Sequence, residues 1–258
     1  MSESPRELEG VLLACGDDPA AVRRRLASLQ GLEGFQLLPR DPEQIRDVYL
    51  DTGDGALAEA RVAFRVRELD GRPLLTLKAD ARRTGSASER LELEAPWSAA
   101  ALQAALEELR RRGIQVPSPP LGPGEPLAVL AGLGFRPTQV RETTRTPREV
   151  VGRGRAPVAE LAVDEVAYQL PAGTVRLLEV EVEAKGPGGL GTVEALLGAL
   201  AKAFPHDLRP WPYGKLATGR AAERLLAAGR LQGLLDEAGM LRPGAHDLLA
   251  EILSQNNP

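Results

Sequence analysis

Residues Thr174–Lys185 read TVRLLEVEVEAK, and their alternation decides how the rest of the chain is read. Leu178, Val180 and Val182 share one face of an extended strand, and Glu179, Glu181 and Glu183 share the other, because successive side chains of a strand point to opposite faces. Three carboxylates in one row repel one another, so the row must meet water, cationic side chains or a metal ion. The first strand-like run, Arg6–Leu13 (RELEGVLL), sets Glu7 and Glu9 in phase in the same way. The chain between is read as bringing these two acidic rows together beside a basic cluster.

Moving outward, further strands repeat the half-apolar, half-ionised pattern. In ARVAFRVREL, Val62, Phe64 and Val66 oppose Ala63, Arg65 and Arg67. Gly71-Arg72-Pro73 turns the chain, and LLTLK (74–78) returns as a hairpin partner. Residues 80–88 are expected to be a polar loop. ERLELEA (89–95) sets Leu91 and Leu93 against Arg90, Glu92 and Glu94. Ile45–Leu50 is a strand candidate ended by Asp51–Gly55, and Thr138–Val151 is a long strand or a bent strand pair holding Arg141 and Arg145. In Val158–Gln169, Leu161 and Val163 oppose Glu160, Ala162 and Asp164.

Helices are expected from Asp17-Asp18-Pro19 to about Leu29, with proline in the first turn, and from a Ser98 cap to about Arg112. Residues 115–126 carry five prolines and read as a connection; a short helix precedes Gly134. The tail from Thr192 reads as helical in pieces, interrupted at 205–212 and 239–243. An α+β protein follows. Either an open antiparallel sheet leaves the charged face to solvent, or a closed barrel turns its apolar face outward under helices and its charges into a lumen. The charges are partly sorted by sign: acids on the first and last strands, bases on strands between. A solvated face mixes signs, whereas facing walls of opposite sign suit a metal-bridged polyanion.

Composition narrows the function. The chain has 258 residues, 43% of them hydrophobic and only 3% aromatic, so leucine, valine and alanine must build the core. A net charge of −4 argues against DNA binding, so an anion site must come from local clustering of bases. The single Cys15 excludes a disulfide framework and fits a cytoplasmic protein. No signal pattern and no bilayer-length apolar run is present, so no membrane association is expected. Gly186–Gly191 satisfies GxGxxG, but the half-charged strand before it and the lack of a strand in 203–211 argue for a glycine-rich turn into a helix capped by Thr192.

Taken in order, these pieces resemble the CYTH family, the triphosphate tunnel metalloenzymes. The resemblance rests on ExE at Glu7 and Glu9, DxYxDT at Asp47–Thr52, FRVRE with Arg65 and Arg67, and TxK at Thr76 and Lys78. It continues with RxExE at Arg90, Glu92 and Glu94, a basic strand with Arg141 and Arg145, LAVDE with Asp164, ExE at Glu179 and Glu181, and Lys215 in PYGK. It covers roughly residues 6–216 and implies an eight-stranded antiparallel closed β-barrel, a tunnel with a charged lumen and helices on its apolar outer face. Residues 1–216 would form the tunnel domain and 217–258 a helical extension packed on it.

The resemblance further implies a Mg2+- or Mn2+-dependent triphosphatase acting on inorganic triphosphate, polyphosphate or an organic triphosphate such as thiamine triphosphate. Adenylate cyclisation and non-catalytic phosphate binding are the alternatives. Triphosphate needs several cations along its length, and the arginine fork suits phosphate. Arg65, Arg67, Lys78, Arg90, Arg141, Arg145 and Lys215 are the expected substrate ligands. Oxygen donors for the metal are Glu7, Glu9, Glu92, Glu94, Asp164, Glu179 and Glu181. Glu9, Glu181 and Arg67 are the expected catalytic groups. Phosphoryl transfer rests on positioning and electrostatics, so no Ser, Cys or His nucleophile is required, and His206 and His246 lie in the tail. The chain departs from the family pattern at Val11, in phase with Glu7 and Glu9, where bacterial members usually carry lysine; this substitution is expected to limit turnover more than binding.

Overall fold

The computed structural model describes residues 6–117, 124–152, 154, 156–185 and 189–255. In chain order the elements are β1 (Arg6–Ala14), α1 (Pro19–Ser28), β2 (Gly31–Leu32), β3 (Phe35–Pro39), β4 (Glu43–Asp51), α2 (Ala56–Glu59), β5 (Ala63–Leu69), β6 (Arg72–Thr84) and β7 (Ala87–Pro96). There follow α3 (Ala99–Arg111), α4 (Pro126–Gly132), β8 (Arg136–Val151), β9 (Pro157–Leu170), β10 (Gly173–Ala184), α5 (Gly189–Ala203), β11 (Leu208–Pro210), α6 (Lys215–Ala227) and α7 (Ala245–Gln255).

Eight strands close on themselves in the order β8-β4-β5-β6-β7-β1-β10-β9, and β9 pairs back onto β8. Every pairing in the ring is antiparallel. The sheet is therefore the closed barrel. Three short strands lie outside the ring: β2 and β3 extend from β8, and β11 pairs with β1.

The alternation read in the sequence sets the barrel inside out relative to an ordinary core. Leu12, Leu161, Val163, Val180 and Val182 face outward and pack under α1 and α5 through Val22, Leu26, Leu196 and Leu200. Phe64, Val66, Leu75, Leu77 and Leu91 pack under α3 and α4 through Leu102, Leu106, Leu109 and Leu130. Caps fix the helix starts: Asp18 accepts from Ala21 N (2.8 Å), and Ser98 accepts from Ala101 N (3.1 Å). Asp51 accepts from Leu57 N and Ala58 N and so caps the short α2.

A third cluster lies on the inward face. Leu13 is in phase with Glu9, Tyr168 with Asp164, and Val175 and Leu177 with Glu179. These inward residues pack against Ala221, Ala222, Leu225, Leu249 and Leu253. The inward face thus turns from charged to apolar along the strands, and α6 and α7 close over its apolar end. Helix α6 runs across residues 216 and 217.

Three expectations are corrected. Residues 80–88 are not a loop: β6 runs to Thr84 and β7 starts at Ala87, with a bulge between Ala79 and Arg82. Asp80 holds the bulge at φ +53° and accepts two hydrogen bonds from Arg112 (2.9 and 2.6 Å). Residues 208–210 do form a short strand, but it is antiparallel to β1, so no parallel βαβ unit results. Helix α5 starts at Gly189, which places Thr192 inside the helix rather than at its cap. A Cβ at Gly189 would stand 2.7 Å from Ala184 Cβ, so glycine lets the helix start this close to β10. The glycines at 186 and 188 of the GxGxxG run lie outside the described residues. Among the described residues, no helix is long and apolar enough to cross a membrane.

Candidate active site in the barrel lumen

A cavity of about 1050 Å³ runs through the lumen. All the expected site residues line it except Asp164, which is fully buried behind Arg145 and Lys215.

One wall, from β4, β5 and β8, is built around Asp47. Its carboxylate, 1% exposed, accepts from Arg67 Nε (2.9 Å) and from Arg141 Nη2, with Arg65 Nε 3.4 Å away. Burial alone would raise its pKa; Arg65, Arg141 and Arg67 outweigh burial and hold it well below the usual carboxylate range. Arg65 Nη1 also donates to Tyr49 Oη (2.9 Å), and the Arg141 and Arg65 guanidiniums lie over the Tyr49 ring at 5.1 and 5.7 Å. Asp47 thus gathers three arginines around one carboxylate. Sequence reasoning quoted Asp47 within a motif without giving it a role; its position in phase with Tyr49, on the strand beside Arg65 and Arg67, was the available signal.

The other wall, from β1, β9 and β10, is acidic. Register pairs Val11 with Glu181 and Glu9 with Glu183. Lys215 enters from α6 and puts Nζ 3.1 Å from Asp164 Oδ2, 3.1 Å from Glu179 Oε2 and in contact with Glu181. Arg145 makes a two-pronged bond to Asp164 (2.9 and 2.7 Å) and reaches Glu181. Arg90 Nε donates to Glu7 (2.9 Å) and Arg90 Nη2 to Glu9. Lys78 Nζ is 2.7 Å from Glu7 and 3.0 Å from Glu92. Glu94 accepts from Thr76 Oγ1 (2.8 Å) and lies 3.6–3.7 Å from Arg67 and Arg65.

The expected separation of charge by wall is therefore incomplete, because Arg65, Arg67, Lys78, Arg90, Arg141, Arg145 and Lys215 each find a carboxylate. Titration follows the balance between burial and pairing. Burial pushes Glu9 up to about 7, with Glu7 and Glu181 adding to the push and Arg90 opposing it. Burial also raises Glu179 against Lys215. For Glu181, Lys215 and Arg145 overcome burial and hold it well below its usual value.

The donor set suits Mg2+ or Mn2+ in chemistry: Glu9, Glu179 and Glu181 offer oxygen ligands on neighbouring strands. Neither carboxylate oxygen of the fully buried Glu179 receives a well-directed hydrogen bond. Among the described residues, however, no three acidic, histidine or cysteine side chains converge as a ready-made cage. Magnesium needs no such cage, since one or two carboxylates, water and substrate phosphates complete its shell.

Comparison with known structures places the same fold in one other protein and finds a weaker likeness in a second. HpAC1 from Hippeastrum, named as an adenylyl cyclase and described as revealing a dominant triphosphatase activity, aligns over 84% of this chain and 96% of its own, at 16% identity and a TM-score of 0.55. A Bacillus halodurans protein named for adenylate cyclase aligns over 81% of this chain and 94% of its own, at 19% identity and a TM-score of 0.47. Comparison with curated protein sequences gives no match. The CYTH domain model matches residues 20–195. With the motifs in order and the strands that carry them closed into one charged tunnel, this chain belongs to the CYTH domain family.

Proposed function

We propose that the chain is a divalent-metal-dependent triphosphatase that binds its polyanion along the lumen. The observation that carries this reading is the arginine fan of Arg65, Arg67 and Arg141 inside a closed barrel that also holds the buried carboxylates Glu9 and Glu179 and the half-buried Glu181. Arginines held in fixed orientation suit paired hydrogen bonds to phosphoryl oxygens. Lys78, Arg90, Arg145 and Lys215 extend the cationic contacts toward the acidic wall. A bound Mg2+ or Mn2+, held by Glu9, Glu179 and Glu181 with Glu7 and Asp164 in support, would neutralise charge developing on the phosphoryl oxygens. Glu92 and Glu94, on β7, stand beside Lys78 and the arginine fan and supply further oxygen donors.

In hydrolysis, water attacks the terminal phosphorus, the bridging P–O bond breaks, and orthophosphate and pyrophosphate leave. Arg67 would stabilise the charge on the transferred group. Glu9, besides holding the metal, would orient the attacking water through its carboxylate.

Phosphate release from tripolyphosphate, thiamine triphosphate and ATP, each with Mg2+, Mn2+ or chelator, tests the reading. Metal-dependent release from at least one of them is expected. Cyclic AMP and pyrophosphate from ATP would instead assign a cyclase, and tight binding without turnover under any metal would assign a binding protein.

A further inference from the structure

The start of α6 breaks a local rule. Lys215 is the first residue of the helix, after a Gly214 cap that makes no side-chain hydrogen bond. A cation at a helix N-terminus opposes the macrodipole, so the helix gains nothing from this lysine. The compensation is in the lumen, where its ammonium meets Asp164, Glu179 and Glu181. An ammonium placed from outside the barrel wall is only as well placed as its helix. Tyr168 stands opposite Arg141 in register, but its hydroxyl donates to the helix backbone.

Two of those contacts come from the barrel. Tyr168 Oη of β9 donates to Lys215 O (3.0 Å), and Gln139 Nε2 of β8 donates to Leu216 O (3.3 Å). They grip the carbonyls of consecutive residues. One turn on, Gly219 lies against both side chains: a Cβ there would stand 2.6 Å from the Tyr168 ring carbons and closer still to Gln139 Nε2. Glycine in a helix interior costs stability relative to alanine, and here its missing side chain lets the helix seat on Tyr168. From the other side, Trp211 Nε1 donates to the buried Thr218 Oγ1 (3.0 Å), and Trp211 N donates to Val11 O (2.9 Å) on β1.

From this geometry we infer that Tyr168, Gln139 and Gly219 form a clamp that positions Lys215 for work in the lumen. They are positioning residues, since they act through the lysine rather than on substrate. The catalytic part of this inference rests on the triphosphatase reading; the positioning part does not.

The experiment therefore has two arms. The chain has four lysines, Lys78, Lys185, Lys202 and Lys215. In protein labelled with 15N-lysine, the buried, ion-paired ammonium groups of Lys78 and Lys215 should give slowly exchanging signals, and Lys215→Met identifies the second. Tyr168→Phe and Gly219→Ala should weaken or shift the Lys215 signal and leave that of Lys78 in place. Should Gly219→Ala fail to fold, Tyr168→Phe decides alone.

In the kinetic arm, Tyr168→Phe should lower kcat/KM for tripolyphosphate about 2- to 10-fold, the scale of one hydrogen bond. It should have no further effect in the Lys215→Met background, because coupled residues are not additive. A Lys215 signal unchanged in the variants, or an equal kinetic loss with and without Lys215, would overturn the clamp. If the wild type turns over no triphosphate, the hydrolase reading fails while the spectra still decide the clamp.

Discussion

At the scale of single residues, position 11 shows what a register pairing adds to a motif. Val11 points inward opposite Glu181, so it can offer that carboxylate no donor. Lys215 reaches the same carboxylate from α6. Lys215→Met should therefore lower kcat by about 10²–10³, the range for losing a charged donor used in the transition state. Adding Val11→Lys should recover part of that loss, because its register sets the new ammonium against the same acid. Steady-state kinetics of the single and double variants check this. A large gain from Val11→Lys alone would show that the valine, not the lysine on α6, limits turnover. Glu179→Gln makes a second test. Both carboxylate oxygens are buried without well-directed hydrogen bonds, and burial raises the group's pKa. The variant should lose metal-dependent turnover while its metal-free melting temperature stays level or rises; a collapse in stability would mean that Glu179 is chiefly structural.

At the scale of elements, α7 carries a titrating group into the apolar end of the barrel. His246 is 2% exposed, its Nδ1 has no partner, and burial together with Arg209 lowers its pKa to about 4 against a small opposing pull from Asp247. The unfolded chain, with an ordinary value near 6.5, takes up the proton first. The stability tied to neutral His246 is therefore complete above about pH 6.5 and is lost as pH falls toward 4, by up to about 3 kcal/mol. Denaturant unfolding of wild type and His246→Leu between pH 7 and 4 should show a gap that closes or reverses with acid; parallel curves would show that the histidine does not titrate with unfolding. The same elements show where the sequence was legible. β1, β5, β7, β9 and β10 were read from alternation, β6 as the hairpin partner of β5, and α1 and α3 from their caps. The hairpin arm over 80–88 was missed because its residues are mostly exposed, so no apolar face marks them as strand. β2 and β3, in GLEGFQLLP, are too short to show a period. Closure of the barrel end by α6 and α7 was not legible either. Leu13, Val175, Leu177 and Tyr168 carry the inward phase of the acidic rows, and only the tertiary fold shows that helices meet them there.

At the scale of the whole molecule, the lumen is a closed network of ion pairs rather than a sleeve of bare cations. From the sequence, Arg65, Arg67, Lys78, Arg90, Arg141, Arg145 and Lys215 would repel one another until an anion arrived. In the fold, each is met by a carboxylate: Asp47 or Glu94 at the fan, Glu7, Glu9 or Glu92 at Lys78 and Arg90, and Asp164, Glu179 or Glu181 at Arg145 and Lys215. The strand cations show in the sequence through their phase, and Lys215, on α6, only through its match to the family motif; who pairs with whom depends on the stagger of eight strands, which no local pattern encodes. The consequence concerns binding. Triphosphate, with roughly four negative charges, must displace carboxylates from the arginines and lysines it uses, and the displaced carboxylates need cations of their own. On the proposed reading a divalent ion on Glu9, Glu179 and Glu181 would supply them, so metal and polyanion should bind cooperatively. Tripolyphosphate in chelator should shift the melting temperature little, and Mg2+ alone little. Together, near a hundredfold excess over Kd, they should raise it by roughly 5–10 °C for a chain of this size. Asp47→Asn should loosen the requirement, because it frees the arginine fan from its buried counter-charge: the tripolyphosphate shift in chelator should grow while the added effect of metal shrinks. Equal shifts with and without metal in the wild type would mean that the ion pairs open at no cost and that the acidic wall has no part in binding.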